Sequence, residues 1–202
     1  MTVLSFPSDV LAPSSLTLDI VANTQSGGKS PFDGTEQTLE MPGAAWMAKV
    51  TFENLQNAEW RSLLSFLVDL GGKAGRFTWA PPFTRQGTAT GGHINGAGQT
   101  GKSLVTAGWG GTGYAARNGD LIGWTDPTGR PALHIVTADA TPSGGACTLA
   151  IAPAIRRPPA DATALALTAP VALWRLADDT NGMDWMTGDF GNFQNTFVEA
   201  IF

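Results

Sequence analysis

From Arg76 onward the chain is cut by Gly, Pro and Asp into short apolar runs: GRFTWAPP, SLVTA, DLIGW, PALHIVTA, CTLAIAP, TALALT, VALWRLA and NTFVEAIF. Runs this short, with turn residues recurring at roughly eight- to twelve-residue intervals, specify the strands of a sandwich or barrel. Two earlier segments read the same way. In LTLDIVAN, Leu16, Leu18 and Ile20 share one face, and TEQTLEM precedes WMAKVTFEN, where Trp46, Ala48, Val50 and Phe52 alternate with Met47, Lys49, Thr51 and Glu53. One segment breaks the pattern. NAEWRSLLSFLVDLGG places Trp60, Leu63, Leu64, Leu67 and Leu70 at helical spacing, with Asn57 as the expected cap, Glu59 in the first turn and Gly71 and Gly72 as the stop. The expected fold is mainly β, a β-sandwich or barrel-like domain with one amphipathic helix. The expected division is 1–86 as a β layer carrying the helix, 87–101 as a Gly-rich connection and 102–202 as a barrel-like second half, with one continuous domain as the alternative. The final strand is expected to pair, either in its own sheet or with a neighbour.

The stretch GAGQTGKS, Gly96 to Ser103, fits the phosphate-loop pattern G-x-x-x-x-G-K-[ST]. Such a loop works only where a buried strand delivers the glycines and a helix starts directly after them, so that backbone N–H groups converge on the phosphates. Neither flank qualifies. RQGTATGGHIN before it is polar and broken by glycine, and LVTAGWGGTGYAARNGD after it carries glycines at 108, 110, 111 and 113, each costing a helix about 1 kcal/mol relative to alanine. The reading is a connection between strands, with Lys102 solvated and no nucleotide cofactor.

No set of residues points to catalysis or to a metal. His93 sits in the glycine-rich loop, and His134 alternates within PALHIVT onto a position expected to face solvent or a lumen. Cys147 is the one cysteine, which leaves a small apolar filler and excludes a disulfide or a cysteine-built metal site within the chain. The acidic run DDTNGMDWMTGD, with Asp178, Asp179, Asp184 and Asp189, lacks the alternating ligands and closing glutamate of a calcium loop and reads as turns. Trp109, Tyr114, Trp124 and Trp185 could form a sugar-binding platform or pack in a β core.

Charged residues are only 14% of the chain, against 43% hydrophobic, with seven Trp and ten Phe. An ordinary soluble domain is about one-quarter charged, so much of this surface is expected to be uncharged or covered by other subunits. The net charge of −5 excludes a nucleic-acid-gripping surface, which needs clustered Lys and Arg. The N-terminal MTVLSFPSDVLAPSS has no basic segment followed by a continuous apolar one, and no run approaches a membrane span, so an export signal and membrane insertion are not expected. A reducing cytoplasm is the expected place of synthesis and assembly.

The succession of segments carries a resemblance. A strand pair, a helix ending in GG, G-R-F-x-W-x-P-P, a G-x-G-x-x-G stretch, N-G-D-L-I, A-L-H-I-V-T-A-D, G-x-C-T-L-x-I-x-P-A-I-R-R-P-P, V-A-L-W-R-L-A and F-V-E-A-I follow one another from about Thr35 to Phe202. In that order they resemble the distal tail proteins of long-tailed, siphovirus-like bacteriophages. The resemblance implies a structural virion protein without enzymatic activity, a homo-oligomeric and typically hexameric ring at the tail tip. Its implied neighbours are the tail tube protein, the tape-measure protein and the hub or baseplate proteins, and DNA would pass through the lumen without specific binding. Six copies at −5 each would put about −30 on such a ring, which discourages DNA from sticking. Tail tube and tail-terminator subunits share the expected ring geometry, and a carbohydrate-binding module of a receptor-binding appendage is the other reading.

Candidate subunit-interface residues are Trp60 on the helix, Arg156 and Arg157 at the basic elbow before Pro158 and Pro159, and Phe197 and Phe202 on the last strand. The arginines either meet an acidic patch on the next subunit or lie solvated on a loop. Gly119 and Asp120 are expected to shape the turn before LIGW.

Overall fold

The computed structural model describes residues 3–10 and 12–201. Strands β1 (Val3–Ser5), β2 (Ser15–Val21), β3 (Thr24–Lys29), β4 (Glu36–Glu40) and β5 (Ala45–Leu55) precede the helix α1 (Asn57–Leu70). After it come β6 (Arg76–Trp79), β7 (Thr90–Ile94), β8 (Gly101–Gly110), β9 (Leu121–Thr125) and β10 (Pro131–Val136). The chain ends with β11 (Ala146–Ile155), β12 (Ala172–Leu176), β13 (Asp184–Met186) and β14 (Phe190–Glu199). The mainly β fold with one helix is as expected.

The first sheet has the order β1-β6-β12-β14-β5-β2, with β13 added on β14. Its pairs are antiparallel except for β1 with β6. The second sheet runs β7-β8-β11-β10-β9, antiparallel throughout. Its edges approach each other through the segment 162–166. On the β7 side Ile94 N–H donates to the Thr163 carbonyl and Leu165 N–H to that of Gly92, and on the β9 side Ala166 and Gly123 exchange both bonds. The sheet therefore curls into a barrel-like unit, filled by Ile94, Leu104, Ile122, Val136, Leu149 and Ile151.

Strand pairing departs from the expected division by chain order. β12 and β14 belong to the first sheet, so the barrel-like unit lies between β6 and β12 and the polypeptide returns home after it. The stretch 87–101, expected as a connection, contains β7. Sequence order hides this because Trp174 on β12 meets Phe77 on β6 across the whole inserted unit.

β5 keeps the expected alternation, with Trp46, Ala48, Val50 and Phe52 buried. These residues share a core with Leu63, Phe66, Leu67 and Leu70 of α1. The helix is rotated slightly from its sequence reading: Phe66 is buried where Leu64 was expected, and Leu64 is exposed. Its cap is Gln56, one residue before Asn57, with the Gln56 N–H donating to the Glu59 carboxylate at 2.8 Å. Gly71 ends the helix at φ 68°, a left-handed conformation that a side chain would strain.

Phe197 lies wholly within this core. It sits between Leu176 of β12 and Ala48 of β5, with rings of Phe77 and Trp79 at 5.0 and 5.5 Å in edge-to-face contact. At 0% exposure it offers nothing to another subunit, which corrects its assignment as an interface residue. β14 pairs on both sides within its own sheet. Phe202 lies outside the described residues.

Candidate functional site

His134, expected on an open face, is 4% exposed. The reason is tertiary. Leu121 and Leu133 turn to the first sheet's core, where the Trp46 indole N–H donates to the Leu133 carbonyl at 2.8 Å, and His134, one residue on, falls on the opposite face with Ile122, Trp124 and Val136 of the barrel-like unit's core. His134 stacks on Trp124 with ring centroids 4.4 Å apart, and its Nδ1 lies 2.9 Å from the Pro153 carbonyl. A carbonyl only accepts, so Nδ1 carries the proton of the neutral ring. Burial pulls the His134 pKa down to about 4; the Pro153 carbonyl opposes this and the Arg156 charge adds to it.

Arg156 and Arg157 serve the same junction. Arg156 donates to the Ala44 carbonyl and to the Glu199 carboxylate, and Glu199 also accepts from the Trp46 backbone N–H at 3.0 Å. Arg157 reaches Asp126 at 3.3 Å. The elbow is thus not a solvated loop: both arginines are half-buried and meet acidic partners in their own chain. Burial pushes the Glu199 carboxyl above its ordinary range, and the Arg156 charge only partly offsets it. Burial would also raise Asp126, but hydrogen bonds from Thr128, Arg130 and Arg157 outweigh it and hold that carboxyl low.

The His134 depression sets a pH response. Neutral in the fold and ordinary at 6.5 when unfolded, this imidazole contributes stability that is full above 6.5 and is lost as pH falls toward 4. The difference is worth about 3 kcal/mol. In chemical denaturation at pH 7 and pH 4, His134→Phe should reduce the acid-induced loss by about that amount; an unchanged loss would assign it to other groups.

Asp120 is buried and accepts three backbone N–H groups, from Gln86 at 2.7 Å, Gly87 at 2.9 Å and Arg117 at 2.8 Å. With Gly119 at φ 95°, it shapes the turn before β9 as expected and also anchors the entry to the barrel-like unit.

The phosphate-like stretch is closed from within. The Gly96 N–H donates to the Asp161 carboxylate at 2.7 Å and the Gly98 N–H to the Pro159 carbonyl at 3.2 Å. The Gln99 amide fills the turn by bonding Asn95, Gly96 and Val105, and β8 follows where a phosphate loop needs a helix. Lys102 binds both oxygens of Glu40 at 2.7 Å, a pairing the sequence did not suggest. Because both partners are about half exposed, Lys102→Ala should cost no more than about 1 kcal/mol in chemical denaturation.

Among the described residues no group of three or more His, Cys, Asp or Glu side chains could hold a metal. In the 178–189 segment Asp178 and Asp179 both engage Lys73, whereas Asp189 accepts from Asn57 and Trp185. Trp109 and Trp124 are buried, whereas Tyr114 and Trp185 are exposed, so the four aromatics form no common platform. Cys147 is half-buried, which raises its thiol pKa.

Three exposed apolar features remain on the surface. The β3–β4 hairpin stands out as an arm, every residue of both strands exposed. A groove of about 920 Å³ runs between α1 and the N-terminal strand, lined by Leu4, Trp60, Leu64 and Val68 with Arg61 and Asp69 at its rim. Trp60, expected at an interface, is half-buried in this groove's wall beneath the Arg61 guanidinium at 5.3 Å. At the far end of β14, Trp185, Met186 and Phe190 are exposed on the β13–β14 hairpin.

No protein family model matches this chain, and no curated protein matches it in sequence. No helix among the described residues is long and apolar enough to cross a membrane.

Proposed function

We propose that this chain is a structural subunit of a phage tail, a distal tail protein whose copies close into a ring, typically of six, at the tail tip. One observation carries the reading. The first sheet has both edge strands, β1 and β2, unpaired among the described residues on their outer sides, and the chain of pairings makes them run in the same direction. A sheet of this kind can be extended head to tail by identical copies, and a head-to-tail contact that closes is a ring. An isologous dimer would instead match one edge with itself.

The order of segments along the chain supports the same reading, as does a surface poor in charge and dotted with exposed Phe32, Leu39, Val68, Trp185 and Phe190. In such a ring the subunit would join the tail tube to the hub or baseplate beside the tape-measure protein, inside a virion assembled in the host cytoplasm. It would let DNA through an acidic collar without holding it. Tube and terminator subunits would use the same sheet edges. The sugar-binding reading is weakened by the burial of Trp109 and Trp124.

Size-exclusion chromatography with light scattering over a concentration series tests the proposal. Discrete oligomers that grow with concentration agree with it, and a monomer throughout the series contradicts it.

A further inference from the structure

From residue 22 to 42 only Ser30 is even half-buried, and Phe32 at the tip of the arm is 98% exposed. An isolated two-stranded hairpin is marginal in water, so an arm of this length with a bare aromatic tip needs a surface to lie on. Among the described residues its own chain holds it at the root, where Lys102 binds Glu40.

Two apolar surfaces could receive it, and charge separates them. The arm carries Lys29 against Asp33, Glu36 and Glu40. The Trp185 end of the sheet belongs to a segment with four further carboxylates, Asp178, Asp179, Asp184 and Asp189, which repel such an arm. The α1 groove has an apolar floor in Leu64 and Val68, with Arg61 to meet Asp33 beside the Phe32 ring and Asp69 to meet Lys29.

Position decides whose groove it is. The arm leaves the sheet at β2, the groove flanks β1, and these are the two ends of the strand order. Five strand spacings, about 24 Å, separate them. The pairing runs on from Val21↔Ala45 to Thr24↔Glu40, so the arm continues the β2–β5 hairpin past the end of the sheet and stands five strands from its own groove, which leaves that groove to the arm of a second copy.

We infer that the β3–β4 arm of each subunit docks Phe32 into the α1–β1 groove, at Leu64 and Val68, of a second copy of this chain. This rests on the ring reading above and adds the contact that would hold neighbours together.

The experiment uses the full chain carrying Cys147→Ala. Chains with Phe32→Cys are mixed with chains with Val68→Cys under mild oxidation, and Phe32→Asp is followed by light scattering and thermal melting. The expected result is a disulfide-linked heterodimer in the mixture, and for Phe32→Asp an association weakened by more than about tenfold with an unchanged melting temperature. If the wild-type chain assembles but the mixture gives no cross-link and Phe32→Asp assembles normally, the arm contact is overturned while the ring stands. If the wild-type chain neither assembles nor cross-links, both are overturned.

Discussion

Replacing Arg156 with methionine should destabilise the fold by about 3–5 kcal/mol at pH 7, the range expected when one partner of a buried ion pair is removed. Glu199 is 5% exposed and keeps only the Trp46 N–H once the guanidinium is gone. Its carboxyl already lies above its ordinary range because of burial, and without Arg156 it would rise further. A carboxyl raised in the folded state binds its proton more tightly there than in the unfolded chain. Its handicap to folding is therefore largest above the folded pKa and shrinks as pH falls toward the ordinary 4.5. The cost of Arg156→Met should accordingly diminish in acid, whereas the His134 contribution is lost in the same direction. Urea titrations of Arg156→Met, Glu199→Gln and the double variant provide the check. The double variant should lose less than the sum of the singles, and a cost below about 1 kcal/mol for Arg156→Met would mean a wet junction.

Phe197→Ala should be comparably severe, about 3–5 kcal/mol, because a fully buried aromatic leaves both its transfer energy and a cavity behind. The rings of Phe77 and Trp79 lose their edge-to-face partner, and the step between β12 and β5 loses its filler. Denaturation curves measure the loss. The comparison with the arm is informative: any assembly defect in Phe197→Ala must arrive together with a loss of stability. A variant that stays fully stable yet cannot assemble would return Phe197 to the surface.

Local patterns were legible wherever one face of an element is buried by its own neighbours. β5 alternates because Trp46, Ala48, Val50 and Phe52 point into the first sheet's core and Lys49 does not, and period two records that asymmetry directly. The glycine stop of the helix and the turn at DPTG, closed by the Gly129 N–H on the Asp126 carbonyl at 2.9 Å, are equally local. What failed depends on contacts distant in sequence. His134 looks half-exposed in its own strand, but the Trp124 ring and the Pro153 carbonyl, brought in by other strands, enclose it. Arg156 and Arg157 look free because Glu199 and Asp126 stand far from them in sequence. The arm shows in the sequence only through TEQTLEM, since both of its faces are exposed and no alternation marks its register. Flanking runs of polar residues around SPFDG were the available signal.

For the candidate surfaces the lesson is sharper. Trp60 was found because helical spacing isolates it, yet its groove also needs Leu4 and Val68, which only folding brings together. Phe32 gave no periodic signal at all, and its significance comes entirely from what fails to cover it.

The proposed ring joins identical copies of this chain through opposite edges of one sheet around a channel. Class averages of the purified protein by electron microscopy at assembling concentrations test it most directly. Closed rings with a central opening and a fixed subunit number are the expected result, and a field of solitary subunits or of two-fold dimers without a channel would contradict it.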